Sequence, residues 1–221
     1  MTISNTSRND LIELGIDEKR VTLINPGVNS ELFRPGAKTK YPSMIYFGGL
    51  RPYKRPQEAL FLLKELLREV NNLTLTVIGD GPSRLKLEQL CEELCLTDNV
   101  EFTGRISDEE VSRIVARSWL NIHTSVTEGW GISIVEAASA GTPTVAYKVP
   151  GVIDSVESGL NGIVVENGNR KALAQAALMI LRDPNRWWDS SIESAKTYSW
   201  DKTAHLWEIL IKSTINPKDH K

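Results

Sequence analysis

Two glutamates, Glu128 and Glu136, bracket the run Gly129-Trp130-Gly131-Ile132-Ser133, and the second lies inside an apolar segment that ends at Ala140. An ionised carboxylate accepts hydrogen bonds and donates none, so the pair suits hydroxyl groups and is a poor direct match for phosphate. The glycines between them suit the opposite partner. A glycine lets a phosphate approach the main chain closely, and the first amides of a helix are unpaired and lie at its positive end. Gly131, Ile132 and Ser133 are therefore candidate donors to an anion, and the stretch points to a ligand carrying phosphate and several hydroxyls. Two glutamates eight residues apart occur often by chance, so context has to decide. Among Ile134, Val135, Ala137 and Ala138, Glu136 either bonds within the protein or meets a ligand; the ligand is the preferred reading. Glu128, in a loop, stands or falls with the glycines.

Other reactive side chains say less. Arg51, Lys54 and Arg55 crowd the start of a helix expected from Pro56, where the dipole disfavours cations by about 0.3–1 kcal/mol each. A bound anion would relieve the conflict, and so would solvation; alone, the solvated turn is favoured. His123, near the end of an expected strand, reads as a satisfied core or rim histidine, with no nucleophile or ligand set around it in sequence. His205 and His220 read as surface groups. Cys91 and Cys95, four apart in a helical pattern, read as core thiols on one face. Trp119, Trp187, Trp188, Trp200 and Trp207 are expected in the core, and Trp130 is expected to wall a pocket.

The elements that position these groups follow from periodicity. A surface helix is expected within 3–14, and Val21-Thr22-Leu23-Ile24-Asn25 reads as a β-type run ended by Pro26-Gly27. Strands are expected at 43–47, 73–78, 100–103, 119–124, 144–147 and 162–165. Helices are expected from Pro56, over 84–96, after the Ser107 cap with its acidic first turn, over 132–140, over 171–181, and in two segments from Trp187 and from Trp200. Such alternation specifies a single Rossmann-like, doubly wound parallel α/β sheet with helices on both faces. Residues 1–42 form a leading segment with a first strand, 43–198 the Rossmann-like body, and 199–221 a C-terminal helix and tail. The glycine turn falls after the strand at 119–124, at a strand's carboxyl end, where ligands of open α/β sheets bind.

The chain has 221 residues, 41% of them hydrophobic and 24% charged, which is ordinary globular composition and ample for a buried core. A formal net charge of -2 gives no electrostatic reason to expect nucleic acid as a partner. No apolar run is long enough for a bilayer and no signal-type core follows Met1, so a cytoplasmic protein is expected. Gly79-Asp80-Gly81-Pro82 is not a Gly-x-Gly-x-x-Gly fingerprint, which argues against a nicotinamide cofactor.

A series of motifs, in consistent order from about Ile3 to Ile215, resembles one family. It comprises Asn25-Pro26-Gly27-Val28-Asn29, Val77-Ile78-Gly79-Asp80-Gly81-Pro82, Val100-Glu101-Phe102-Thr103-Gly104, Glu128-Gly129-Trp130-Gly131 with Glu136-Ala137, Gly141-Thr142-Pro143 and Tyr198-Ser199-Trp200. The chain resembles the C-terminal, nucleotide-sugar-binding domain of retaining glycosyltransferases of the GT-B fold, family four or group 1. The resemblance implies a nucleoside diphosphate sugar as donor substrate. It implies that the amides of Gly131, Ile132 and Ser133 hold the diphosphate, Glu136 the ribose and Glu128 the donor sugar, with Gly129 and Trp130 in the same loop. Ile106, Gly48 and Gly49 would lie near the base. Lys54 matches the lysine that neutralises the leaving diphosphate, so that no metal and no other cofactor is expected. The family usually has arginine where Gly49 stands, and Arg51 is the candidate to reach the same phosphate. The acceptor-binding N-terminal domain is expected to be absent, the chain beginning near the interdomain linker, with any acceptor (sugar, lipid or protein glycan) and any peripheral membrane contact met through that half. Two rivals remain: a non-catalytic binding or assembly module that partners a separate N-terminal domain, and a sugar-nucleotide epimerase of similar architecture.

Overall fold

In the computed structural model, which describes residues 1–215, six parallel strands form one sheet in the order β3-β2-β1-β4-β5-β6. In chain order the elements are α1 (Asn5–Glu13), β1 (Ser43–Phe47), α2 (Gln57–Leu66), β2 (Thr74–Ile78), α3 (Arg84–Glu93), β3 (Val100–Gly104), α4 (Asp108–Arg117) and β4 (Leu120–His123). They continue with α5 (Ile132–Ser139), β5 (Thr144–Lys148), α6 (Val152–Ser155), β6 (Gly162–Glu166), α7 (Arg170–Arg182), α8 (Pro184–Ala195) and α9 (Trp200–Ile215). Parallel neighbours need long crossovers, and helices covering both faces leave the central strands without a wet side. Accordingly all four residues of β4 and the first four of β5 are buried.

The strand order carries the functional consequence. The chain winds outward from β1 through β2 to β3, then returns to lay β4 against the other side of β1. The loops leaving β1 and β4 therefore diverge, opening a crevice at their carboxyl ends. Two apolar clusters flank the sheet. One joins β1, β2 and β5 to α2, α3 and α7; the other packs Phe33, Trp130, Val135 and Ala137 against Ile45 and Ile78. Helix α4 starts as its sequence specifies: Ser107 Oγ accepts from the Glu110 amide at 3.3 Å, and the Glu110 carboxylate accepts from the Ser107 amide at 3.4 Å. This capping box satisfies two amides that the helix cannot.

Several expectations are corrected. Val21 to Asn25 is not a strand; only Leu23 forms a bridge, to Thr2, because no second extended segment runs alongside it. Cys91 is buried, but Cys95 lies beyond the end of α3 with a left-handed φ of 55° and is exposed, so the two thiols do not share a core face. Trp187 is buried, whereas Trp200 and Trp207 are 54% and 38% exposed on α9, whose one buried residue is Thr203. His205 is exposed on α9, and His220 lies outside the described residues. Among the described residues no helix is long and apolar enough to cross a membrane.

Candidate functional site

Residues from both sides of the topological switch line the crevice. Gly48, directly after β1, joins Ile106, Asp108, Ile132 and Glu136 around a cavity of about 450 Å³. Glu136 sits on the first turns of α5, half-buried, and nothing among the described residues bonds to its carboxylate. Burial, reinforced by the nearby Asp108 charge, pushes Glu136 up to about 7. A carboxylate held in this way lacks hydroxyl or amide donors, which a ligand could supply.

The entry to α5 explains why amides are available there. Gly131, at the helix N-cap, has φ 74° and no side chain to cap the helix. The main-chain amides of Gly129 through Ser133 have no hydrogen-bond partner among the described residues. Ordinary N-caps satisfy one or two such donors; here the five amides of this turn are left without a partner among the described residues. Ile132 at the first helical position is 39% exposed, so the turn is open at its tip.

Behind that turn lies a charged cluster. Glu128 Oε1 accepts from Lys54 Nζ at 2.8 Å and from Ser125 Oγ at 2.6 Å, while Oε2 accepts from no described residue. His123 brings Nε2 to 3.3 Å from the same Oε1, but without hydrogen-bonding alignment, so this buried nitrogen has no partner. A buried polar nitrogen left unpaired costs about 1–3 kcal/mol. The other ring nitrogen, Nδ1, lies 3.4 Å from Ser133 Oγ. Burial works against ionisation of Glu128, but the bonds from Lys54 and Ser125, with the His123 ring close by, outweigh it and bring the carboxyl down to about 2. Glu128 and Glu136 are thus held in opposite protonation regimes by opposite surroundings.

Each residue proposed from sequence can now be placed. Gly48, Ile106, Ile132 and Glu136 line one cavity; Glu128, Lys54 and Ser133 meet around His123. Gly49 is off the cavity wall, and the exposed Arg51 folds over it: Nε lies 3.7 Å from where a Cβ on residue 49 would be. Trp130 does not wall the crevice. Its indole is 4% exposed and packs edge-on against Tyr198 at 5.4 Å, because the left-handed turn at Gly131 directs it inward. Arg55, half-buried, is engaged within the protein. It donates to the Thr124 carbonyl at 3.0 Å and to Asn167 at 2.6 Å, lacing the β4 exit to the segment after β6. His123, expected as a satisfied core or rim histidine, leaves one ring nitrogen unpaired, and Ser125 was not anticipated; the signal for both was their place at the carboxyl end of β4, within five residues of Glu128. Cavities of about 570 and 530 Å³ lie elsewhere, between α2 and α7 and beside α4. In the first, the buried Glu58 is already paired with Arg170, at 2.6 Å.

The sequence pattern of "Glycosyl transferases group 1" matches residues 28–197, which spans both halves of this crevice. The chain belongs to the group 1 glycosyl transferases. Its relatives include D-inositol 3-phosphate glycosyltransferase 2 of Catenulispora acidiphila, 29% identical over 228 residues, covering 91% of this chain and 53% of that protein. Another is the D-inositol 3-phosphate glycosyltransferase of Frankia alni, 30% identical over 223 residues, with 89% and 54% covered. The chain spans about half the length of the curated relatives it matches. Among solved structures, sucrose-phosphate synthase from Thermosynechococcus elongatus superposes with a TM-score of 0.87 at 22% identity, over 98% of this chain and 58% of the other. HepE of Anabaena, in complex with UDP and glucose, gives 0.81 at 22% identity, over 96% and 62%. The Rossmann-like sheet of this group 1 glycosyl transferase chain is therefore shared with GT-B glycosyltransferases, as the sequence resemblance implied.

Proposed function

We propose that this chain is the donor-binding domain of a retaining glycosyltransferase and holds a nucleoside diphosphate sugar in the β1/β4 crevice. The observation that carries the proposal is the juxtaposition of uncapped amides at Gly131 to Ser133 with an unpartnered Glu136 carboxylate in one crevice. In this reading the amides hold the diphosphate and Glu136 accepts from the ribose hydroxyls, with Ile106, Gly48 and Gly49 toward the base. The free Oε2 of Glu128 accepts from the donor sugar's hydroxyls. Lys54, with Arg51 lying over Gly49, offsets the charge of the leaving diphosphate, so that fixed cations do what a metal does elsewhere. Glycosyl transfer to the acceptor retains the anomeric configuration, and the acceptor is presented by a second, N-terminal half.

UDP is the reasonable probe, since structural neighbours hold it. Millimolar UDP is expected to raise the melting temperature, and Glu136→Ala to remove most of that rise. An intact wild-type chain whose melting is unchanged by UDP contradicts the reading. The second reading, a non-catalytic nucleotide-sugar-binding or assembly module, draws on Gly49 in the usual arginine position and on Lys54 being engaged by Glu128. Hydrolysis of UDP-glucose, measured with and without a separate N-terminal half, separates the two.

A further inference from the structure

His123 is the buried side chain that the proposed donor site leaves unexplained. Its side chain is 8% exposed, and its Nε2 lies 3.3 Å from Glu128 Oε1 without making a hydrogen bond. The reason lies in the oxygen it faces. A carboxylate oxygen offers about two lone-pair sites, and Oε1 already accepts from Lys54 at 2.8 Å and Ser125 at 2.6 Å. The imidazole is the third donor at a two-acceptor atom. Its tautomer follows from the same geometry: facing a carboxylate, Nε2 carries the hydrogen, which leaves Nδ1 to accept from the Ser133 hydroxyl at 3.4 Å.

Resting on the donor-site reading above, we propose that His123 is a positioning residue that replaces Lys54 at Glu128 Oε1 when a diphosphate binds. The anion at the start of α5 draws the Lys54 ammonium away, the vacated lone pair receives His123 Nε2–H, and Glu128 stays oriented with Oε2 toward the sugar. Ser133, bonded to Nδ1 and located in the first turn of α5, ties the phosphate end of the site to the same ring. No proton changes its owner in this exchange. The charged and titratable groups that face the ring's surroundings are Glu128, Lys54 and, on β1, Tyr46.

The chain contains three histidines, so nitrogen-15 imidazole spectra can be assigned with single His→Gln variants. The expected ligand-free spectrum shows His123 as the Nε2–H tautomer. Lys54→Met should shift its Nε2 resonance and slow exchange of that hydrogen with water, and UDP added to the wild type should move the resonance the same way. A His123 spectrum identical in wild type and Lys54→Met, or an Nδ1–H tautomer, overturns the proposal without any ligand. UDP that binds by calorimetry yet leaves His123 unmoved overturns it while the donor-site reading stands. UDP that gives no binding heat overturns the donor-site reading, and the proposal with it as written, whereas the Lys54→Met comparison still reports whether the two donors compete for Oε1. For function, His123→Leu is expected to weaken UDP-glucose binding about tenfold relative to UDP, with His123→Gln, which retains a donor, recovering most of it. Equal losses for both ligands would mark His123 as merely structural.

Discussion

At the scale of single residues, the two glutamates show how environment divides one chemistry into two roles. Glu136 is held near neutrality by burial and by Asp108, against an ordinary value of 4.5. The folded chain therefore keeps a proton that the unfolded chain has lost between about pH 4.5 and 7. Stability attributable to this group falls as pH rises through that window and stays lower above it, by on the order of 1–3 kcal/mol. Glu136→Gln should abolish this decline, raising the melting temperature at pH 8 far more than at pH 4.5; equal shifts at both values would show that the carboxyl is not perturbed. Ribose hydroxyls favour the ionised form, so UDP affinity should rise from pH 6 to pH 8 more steeply in the wild type than in Glu136→Gln. Glu136 could be picked out in the sequence because a carboxylate in an apolar helix is anomalous. For His123 the place at the strand's end was legible but its partners were not, because alternation gives the face of a strand residue and not the neighbours waiting beyond it.

Elements hold these side chains by a few specific contacts, and those contacts can be broken one at a time. The Glu128 turn rests on the loop before α6, where Gly151 adopts φ 76° and a Cβ would fall 2.1 Å from the Glu128 carbonyl oxygen. Gly151→Ala should cost at least about 2 kcal/mol through strain and displacement of the turn. In a chain of this size that is a fall of several degrees in melting temperature, with UDP-glucose binding reduced as well. On the far side of the sheet, the buried Glu58 accepts two bonds from Arg170 and one from Tyr147 at 2.9 Å. Arg170→Met leaves that carboxylate buried with the tyrosine alone and should destabilise the chain by about 2–4 kcal/mol, measured by denaturant unfolding, while UDP affinity per folded molecule stays unchanged. The capping box at Ser107 and Glu110, the glycine turn before α5 and the strand–helix alternation were all legible, since each is a local pattern with a local cause. The bridge at Leu23, the exposure of Trp200 and Trp207 and the position of Cys95 were not. Pairing partners and burial depend on what the rest of the chain places alongside.

For the whole molecule, strand order is what turns scattered motifs into one site. Periodicity identified the six strands but could not say that β1 and β4 are neighbours, and that adjacency brings Gly48, after β1, opposite Ile132 and Glu136, with Ile106 reaching the same cavity from the loop after β3. Family membership and fold agree with the resemblance carried by the motif series, while the donor, the acceptor and the second half belong to the proposal. The central claim is that the first amides of α5 receive a diphosphate. Amide chemical-shift mapping with UDP tests it most directly. The account predicts the largest perturbations at Gly131, Ile132 and Ser133, reduced in amplitude at equal UDP concentration by Glu136→Ala. Perturbations centred instead on the cavity between α2 and α7, or none at millimolar UDP, would contradict it.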